Sequence, residues 1–154
     1  MARGEGSGDV GVTGSARLST GFSQRVLRAL KYLWAGPTTM VGLVFLHPTI
    51  LSGGKAKVVD GVLEIHGGVA RFFLERCTLM AGGATAMTLG HVVLGRDEAS
   101  LEMTRGHERV HVRQCERWGP MFLPAYGVAS LVALLRGRDA YRGNRFEREA
   151  YETA

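Results

Sequence analysis

The spacing of apolar and polar positions divides the chain into stretches of different period. Residues 1–21 have no apolar period and are rich in Gly, Ser and Thr, which predicts a flexible tail. They also lack the continuous apolar core and cleavage site of a secretory signal. Residues 22–34 have helical spacing: Phe22, Val26, Leu30 and Leu33 share a face, while Arg25, Arg28 and Lys31 lie mostly off it. The run from Leu33 to Leu51 is the most apolar in the chain, at about 19 residues, near the roughly 20 that span a bilayer. Pro37, His47, Pro48 and interior Gly and Thr residues interrupt it, and Lys55 and Lys57 follow, so the charge asymmetry across it is weak. Two readings stay open, a segment in or on a membrane and a buried apolar segment of a core.

Residues 57–66 predict a β-hairpin, with Asp60-Gly61 as a type I′ turn between β-branched residues. Val69 to Met80 is apolar with interspersed charges and is compatible with strand or helix. Residues 84–94 predict one further strand. Asp97 is placed to cap a helix over about 98–118, which Gly119-Pro120 stops. A second helix follows over Met121–Leu135, and a third begins near Arg145, with Asn144 as its cap. The fold expected is α+β, a small antiparallel sheet beside the 98–118 helix with further C-terminal helices. Three regions result: the tail 1–21, a helix plus an apolar segment open to membrane or core over 22–56, and an α+β domain over 57–154.

A chain of 154 residues suits one domain with a real core. Its net charge of +5 favours anionic partners in general. The arginines are scattered among glutamates, without a basic run interleaved with aromatics, so nucleic acid is not an expected partner. Two cysteines, Cys77 and Cys115, make no disulfide framework. They read as free thiols of a reducing compartment, and the expected location is cytoplasmic or membrane-associated. Cys115 lies four residues after His111 and is a lesser candidate for a ligand.

The chemistry concentrates at His107-Glu108-Arg109-Val110-His111. Two histidines at i and i+4 lie one turn apart on a helix, so both rings reach one tetrahedral zinc at about 2.0–2.1 Å. In zinc hydrolases with this H-E-x-x-H spacing the glutamate is no ligand and takes a proton from water on the metal. On a helical wheel Met103, His107, Val110, His111, Gln114, Cys115 and Trp118 share one side. Glu102, Arg105, Arg109, Arg113, Glu116 and Arg117 share the other, and Glu108 lies at the edge of the first. A pair of core histidines satisfied by hydrogen bonds, or a metal site without activity, are the alternatives. The third ligand must come from further along, from Asp139, Glu147, Glu149 or Glu152.

The run Asn144-Arg-Phe-Glu-Arg-Glu-Ala-Tyr-Glu resembles the second zinc helix of Glu-zincin metallopeptidases, which carry Glu-x-x-x-Asp. That resemblance implies Glu147 as the third ligand, with Glu149 as runner-up. Tyr151 stands where the aspartate that supports a zinc histidine is usual. The stretch from about Leu89 to Tyr151 also resembles a group of uncharacterised bacterial H-E-x-x-H proteins. The residues that match are Thr88-Leu-Gly-His-Val-Val-Leu-Gly95, His107 to Gln114, Glu116 to Gly119, Pro124 to Tyr126 and Asn144 to Tyr151. It implies a zincin-like site and no particular substrate. His91, in the strand before the zinc helix, could contact substrate or be structural. Tyr126 and Tyr141 could polarise a carbonyl, with packing as their default role.

The function expected is a Zn2+-dependent hydrolase, a metallopeptidase with His107, His111 and Glu147 as ligands and Glu108 as general base, acting on a peptide or protein substrate. The alternatives are a non-catalytic metal-binding, membrane-associated structural protein and an interaction module with a basic surface. A bilayer crossing within 121–135 would separate Glu147 from the histidines, so this segment is expected to pack in the domain or lie on a membrane surface.

Overall fold

The computed structural model describes residues 13–154 except 79 and 81. Helix α1 (Thr13–Trp34) begins within the expected tail, so residues 13–21 are helical, while residues 1–12 lie outside the described residues. The apolar run 33–51 is not one straight helix. It forms the end of α1, then α2 (Gly36–Leu43) and α3 (Leu46–Leu51). Ser23–Trp34 and Gly36–Leu51 meet at a bend of 60°. The small polar residues of the run face inward: Thr38, Gly42 and Thr49 are buried, while Leu33, Met40, Val44 and Leu51 are exposed. The α1 face of Val26, Leu30 and Leu33 is exposed as well.

The expected hairpin is formed by β1 (Lys55–Val59) and β2 (Val62–His66), with Asp60 and Gly61 both at positive φ, as a type I′ turn requires. The undecided segment is helix α4 (Gly68–Arg76). Its N-terminus has no local side-chain cap; instead Thr49 Oγ1 of α3 accepts from Ala70 N, and Ser52 Oγ, just past the end of α3, accepts from Val69 N. The single strand expected over 84–94 is two, β3 (Ala86–Leu89) and β4 (Val92–Gly95), folded back at Gly90-His91. Gly90 has a φ of 69°, and a Cβ there would collide with Thr39 of α2. β-Branched residues on both sides of the dipeptide conceal this turn.

The sheet order is β1-β2-β4-β3. Both hairpins are antiparallel, but β2 and β4 pair in parallel, so the sheet is mixed rather than antiparallel. The reason is α4, a crossover that packs Ala70 and Leu74 onto Ile65 and Leu94. The α+β class and the C-terminal helices are as expected.

Helix α5 (Glu98–Trp118) is capped by Asp97, whose carboxylate accepts from Ser100 N at 2.8 Å. A short 3-10 turn at Gly119–Met121 leads to α6 (Phe122–Leu135), and α7 (Arg145–Thr153) closes the chain. α5 is covered on two sides, not one. Leu101 and Val112 pack on Val62 and Val93 of the sheet, while Cys115 packs with Phe122 of α6 and Phe146 of α7. The wheel's polar side is therefore partly interior: Arg105 makes a two-point ion pair with the buried Glu64 of β2, at 3.0 and 3.1 Å, and Arg109 donates to Val59 O. Met103, placed on the inward side by the wheel, is 76% exposed.

Candidate metal centre

His107 and His111 project from adjacent turns of α5 with their Nε2 atoms 3.0 Å apart. Glu147, in the first turn of α7, completes the group: Oε2 is 3.1 Å from His107 Nε2 and Oε1 is 3.2 Å from His111 Nε2. Two nitrogens on a tetrahedral zinc at 2.0–2.1 Å stand about 3.3 Å apart, so the three donors already have near-ligand spacing. Among the described residues this is the one His/Cys/Asp/Glu trio whose donor atoms all lie within 4.8 Å of one another.

The hydrogen bonds around the trio specify the proton positions. Gln114 Nε2 donates to Phe146 O at 3.0 Å and to Glu149 at 3.1 Å, which turns its Oε1 towards His111 Nδ1 at 2.8 Å. A carbonyl oxygen only accepts, so His111 carries its proton on Nδ1 and presents the Nε2 lone pair to the trio. That lone pair faces a carboxylate, an arrangement that calls for a proton or a cation between them. Burial opposes charge on His111, but its hydrogen bond to Glu147 and the nearby charge of Glu147 and Glu108 raise its pKa. Burial likewise opposes ionisation of Glu147, yet hydrogen bonds with His107, His111 and Tyr126 bring its pKa down to about 2. A lone-pair nitrogen, a second imidazole and an ionised buried carboxylate make a donor set that fits a divalent cation such as zinc.

Glu147 is held in place by its neighbours in sequence. Buried Asn144 caps α7 by accepting from Phe146 N, and donates to Tyr126 O and Ser130 Oγ of α6. Phe146 packs between Trp118, Phe122 and Tyr126. The other acidic candidates are engaged elsewhere. Glu149 pairs with Gln114 and Arg117, Asp139 accepts from the backbone of Tyr141 and Arg142, and Glu152 lies near Arg148. Cys115 is packed in the core, and burial pushes its thiol up to about 12.

Glu108 is 6% exposed and accepts from Thr88 Oγ1 of β3 at 2.6 Å. Burial raises its pKa, opposed by the charge of His111 and by the Thr88 hydroxyl. Two cavities, of about 180 Å³ and about 400 Å³, share His107, Glu108 and Tyr141 in their walls. The smaller also takes in His111 and Glu147, with an apolar wall that includes Met87, Leu89 and Phe122. β3 is an edge strand of the sheet and runs along this wall.

Tyr126 donates to Glu147 Oε1 at 2.6 Å, and the Tyr141 hydroxyl lies 3.5 Å from His107 Nε2. Tyr151, in the position usual for an aspartate, sets its ring at a tilt of 56° and 4.7 Å from that of His107, and reaches Tyr141 with its hydroxyl. The hydrogen bond that orients His111 comes instead from Gln114 within α5, which the helical wheel marks only as one more member of the inward face. Thr88, the partner of Glu108, has no signature in the sequence, because a threonine in a strand carries no signal of its own. His91 lines neither cavity. It stacks on Tyr32 at 3.9 Å and lies 3.3 Å from Glu116. No protein-family model, curated protein or solved structure matches the chain.

Proposed function

We propose that the chain is a zinc-dependent hydrolase of the metallopeptidase type, with His107, His111 and Glu147 as metal ligands. The observation that carries this reading is the convergence of the three donors at 3.0–3.2 Å beside a buried glutamate in a cavity. A zinc ion held there supplies a Lewis acid that acidifies water and polarises a carbonyl. Glu108 takes the proton from the attacking water on its carboxylate and passes it to the leaving amine. Its raised pKa brings it closer to neutral pH, where such transfer is most effective. Thr88 holds the carboxylate in orientation. The Tyr141 hydroxyl, near His107, is placed to donate to a carbonyl oxygen as charge develops on it. The apolar wall of Met87, Leu89 and Phe122 favours substrates with an apolar side chain beside the scissile bond.

A metal site without turnover is the second reading. It is favoured by Tyr151, which stands beside His107 in the place usual for an aspartate. Metal analysis and peptide hydrolysis decide between them. Wild type should hold one zinc per chain, and His107→Ala and Glu147→Ala should lose it. Glu108→Gln should keep the metal and lose hydrolysis of a mixed peptide library. Metal in wild type with no hydrolysis by it leaves the second reading. No metal in wild type removes both.

A further inference from the structure

Two stretches, 32–54 and 118–135, contain no Asp, Glu, Lys or Arg, and the structure brings their starts together. Thr38 Oγ1 donates to Gly119 O, and the Trp34 ring occupies the space that a side chain at Gly119 would fill. From this junction both run outward with apolar residues in solvent. In α6 these are Leu123, Val128, Leu131, Val132, Leu134 and Leu135, the last 79% exposed. In α2, α3 and the link between them they are Met40, Val41, Val44, Ile50 and Leu51. α6 buries only Phe122 and Ala133 completely, so most of its apolar surface has no partner within the chain. A water-facing helix of a soluble domain carries its polar residues outward, and α6 has none with charge.

By length and hydropathy the 38-residue helical stretch Glu98–Leu135 is sufficient to cross a membrane, and so is the bent pair Ser23–Trp34 with Gly36–Leu51. A crossing by α6 is incompatible with the tertiary structure. Its 14 residues extend about 21 Å, short of the roughly 30 Å hydrocarbon layer, and α7 returns alongside to hold Glu147 against His107 and His111. A helix that is apolar outward but cannot cross lies in the interface.

The charges at the edges point to the occupant. No carboxylate occurs in residues 22–59 or 117–138, whereas Arg25, Arg28 and Lys31 precede the first stretch and Arg136 and Arg138 follow the second. Glu116, next to the second stretch, is paired with Lys31, and Asp139 accepts from backbone N–H groups, so cations predominate at the edges. An apolar surface edged in this way is complementary to an acyl layer under anionic headgroups. We propose that the outward faces of α6 and of α2–α3 bed into the surface of an anionic phospholipid bilayer, with the flanking arginines at the headgroups.

The test is flotation of the full chain with phosphatidylcholine vesicles, with and without phosphatidylglycerol. Wild type should float with the anionic vesicles, and less in high salt. The double variant Leu131→Glu/Leu134→Glu and the double variant Arg136→Glu/Arg138→Glu should each lower the bound fraction by about tenfold or more. Both change exposed positions, and circular dichroism checks that they fold. His107→Ala should float as wild type does, so this result stands apart from the metal site. Wild type that stays with the solution, or the leucine variant floating unchanged, overturns the proposal. So does a wild-type dimer that ignores vesicles and separates in the leucine variant, which would assign the face to a second copy of the chain.

Discussion

The Nδ1 atom of His111 lies 2.8 Å from Oε1 of Gln114, one turn further along the same helix, and the other end of that amide is bonded to α7. One buried side chain thus fixes both the tautomer of a proposed ligand and the position of the helix that supplies Glu147. Gln114→Leu should lower metal affinity by about 10–100-fold, the usual cost of losing a group that orients a ligand. It should also destabilise the fold by about 1–3 kcal/mol, because Phe146 O and the His111 Nδ1 proton lose their partner. Competition with a chromophoric chelator and a thermal melt measure the two effects, and unchanged affinity would remove Gln114 from the site.

The Thr88 hydroxyl donates to the Glu108 carboxylate and so favours its ionised form against burial. The base must be ionised to act, so the acid limb of hydrolysis should lie above the ordinary carboxylate value of 4.5. Thr88→Val removes the opposing hydrogen bond and should move that limb to higher pH. A limb that stays put or moves down in kcat/KM profiles argues against Glu108 as base.

Glu147 has its pKa lowered from 4.5 to about 2 in the metal-free chain. A carboxylate depressed on folding stabilises the fold above its unfolded value, and this contribution is lost as pH falls through the folded one. The metal-free protein should therefore lose stability between pH 4.5 and about 2. Tyr126→Phe, which removes one of the hydrogen bonds holding the pKa down, should make that loss smaller. Denaturant melts across this range measure the slope.

The proposed ligands come from α5 and α7, so a metal bound there would tie the C-terminal helix to the domain. Zinc at about a thousandfold excess over its Kd should stabilise the folded chain by about 4 kcal/mol. A chelator should reverse this, and hydrogen exchange should report the change first in α7. Equal stability with and without zinc would show that the trio does not bind it.

Phe146 is 1% exposed and anchors α7 next to Glu147. Phe146→Ala should cost about 3–5 kcal/mol, the range for a fully buried phenylalanine. Metal affinity should fall with it, although the residue touches no ligand atom. A melt within about 1 kcal/mol of wild type would show that α7 is held otherwise.

Local periodicity was sufficient for the elements whose signals lie within a few residues of each other. The Asp60-Gly61 hairpin, α5 with its Asp97 cap and Gly119 stop, α7 with its Asn144 cap, and the pairing of His107 with His111 on one helix face depend on spacing that a helix or strand repeats by geometry. Glu147 was named from the likeness of its run to a second zinc helix, and the structure places it beside the histidines.

Tertiary structure decided what depends on residues far apart in the chain. The Gly90-His91 turn is set by Thr39 pressing on the backbone, and the parallel join of the two hairpins by the packing of α4. α5 is buried on two sides because the sheet and the C-terminal helices reach it from opposite directions, which no single wheel can represent. Thr88 and Gln114 acquire their roles only when β3 and α7 arrive. The sequence by itself determined the motif, the Asp60-Gly61 hairpin and the limits of α5, α6 and the start of α7, since these follow from bonds within a few residues. The partners that protonate, orient and enclose the site were decided by the fold, because a side chain's hydrogen bonds depend on what packing brings to it.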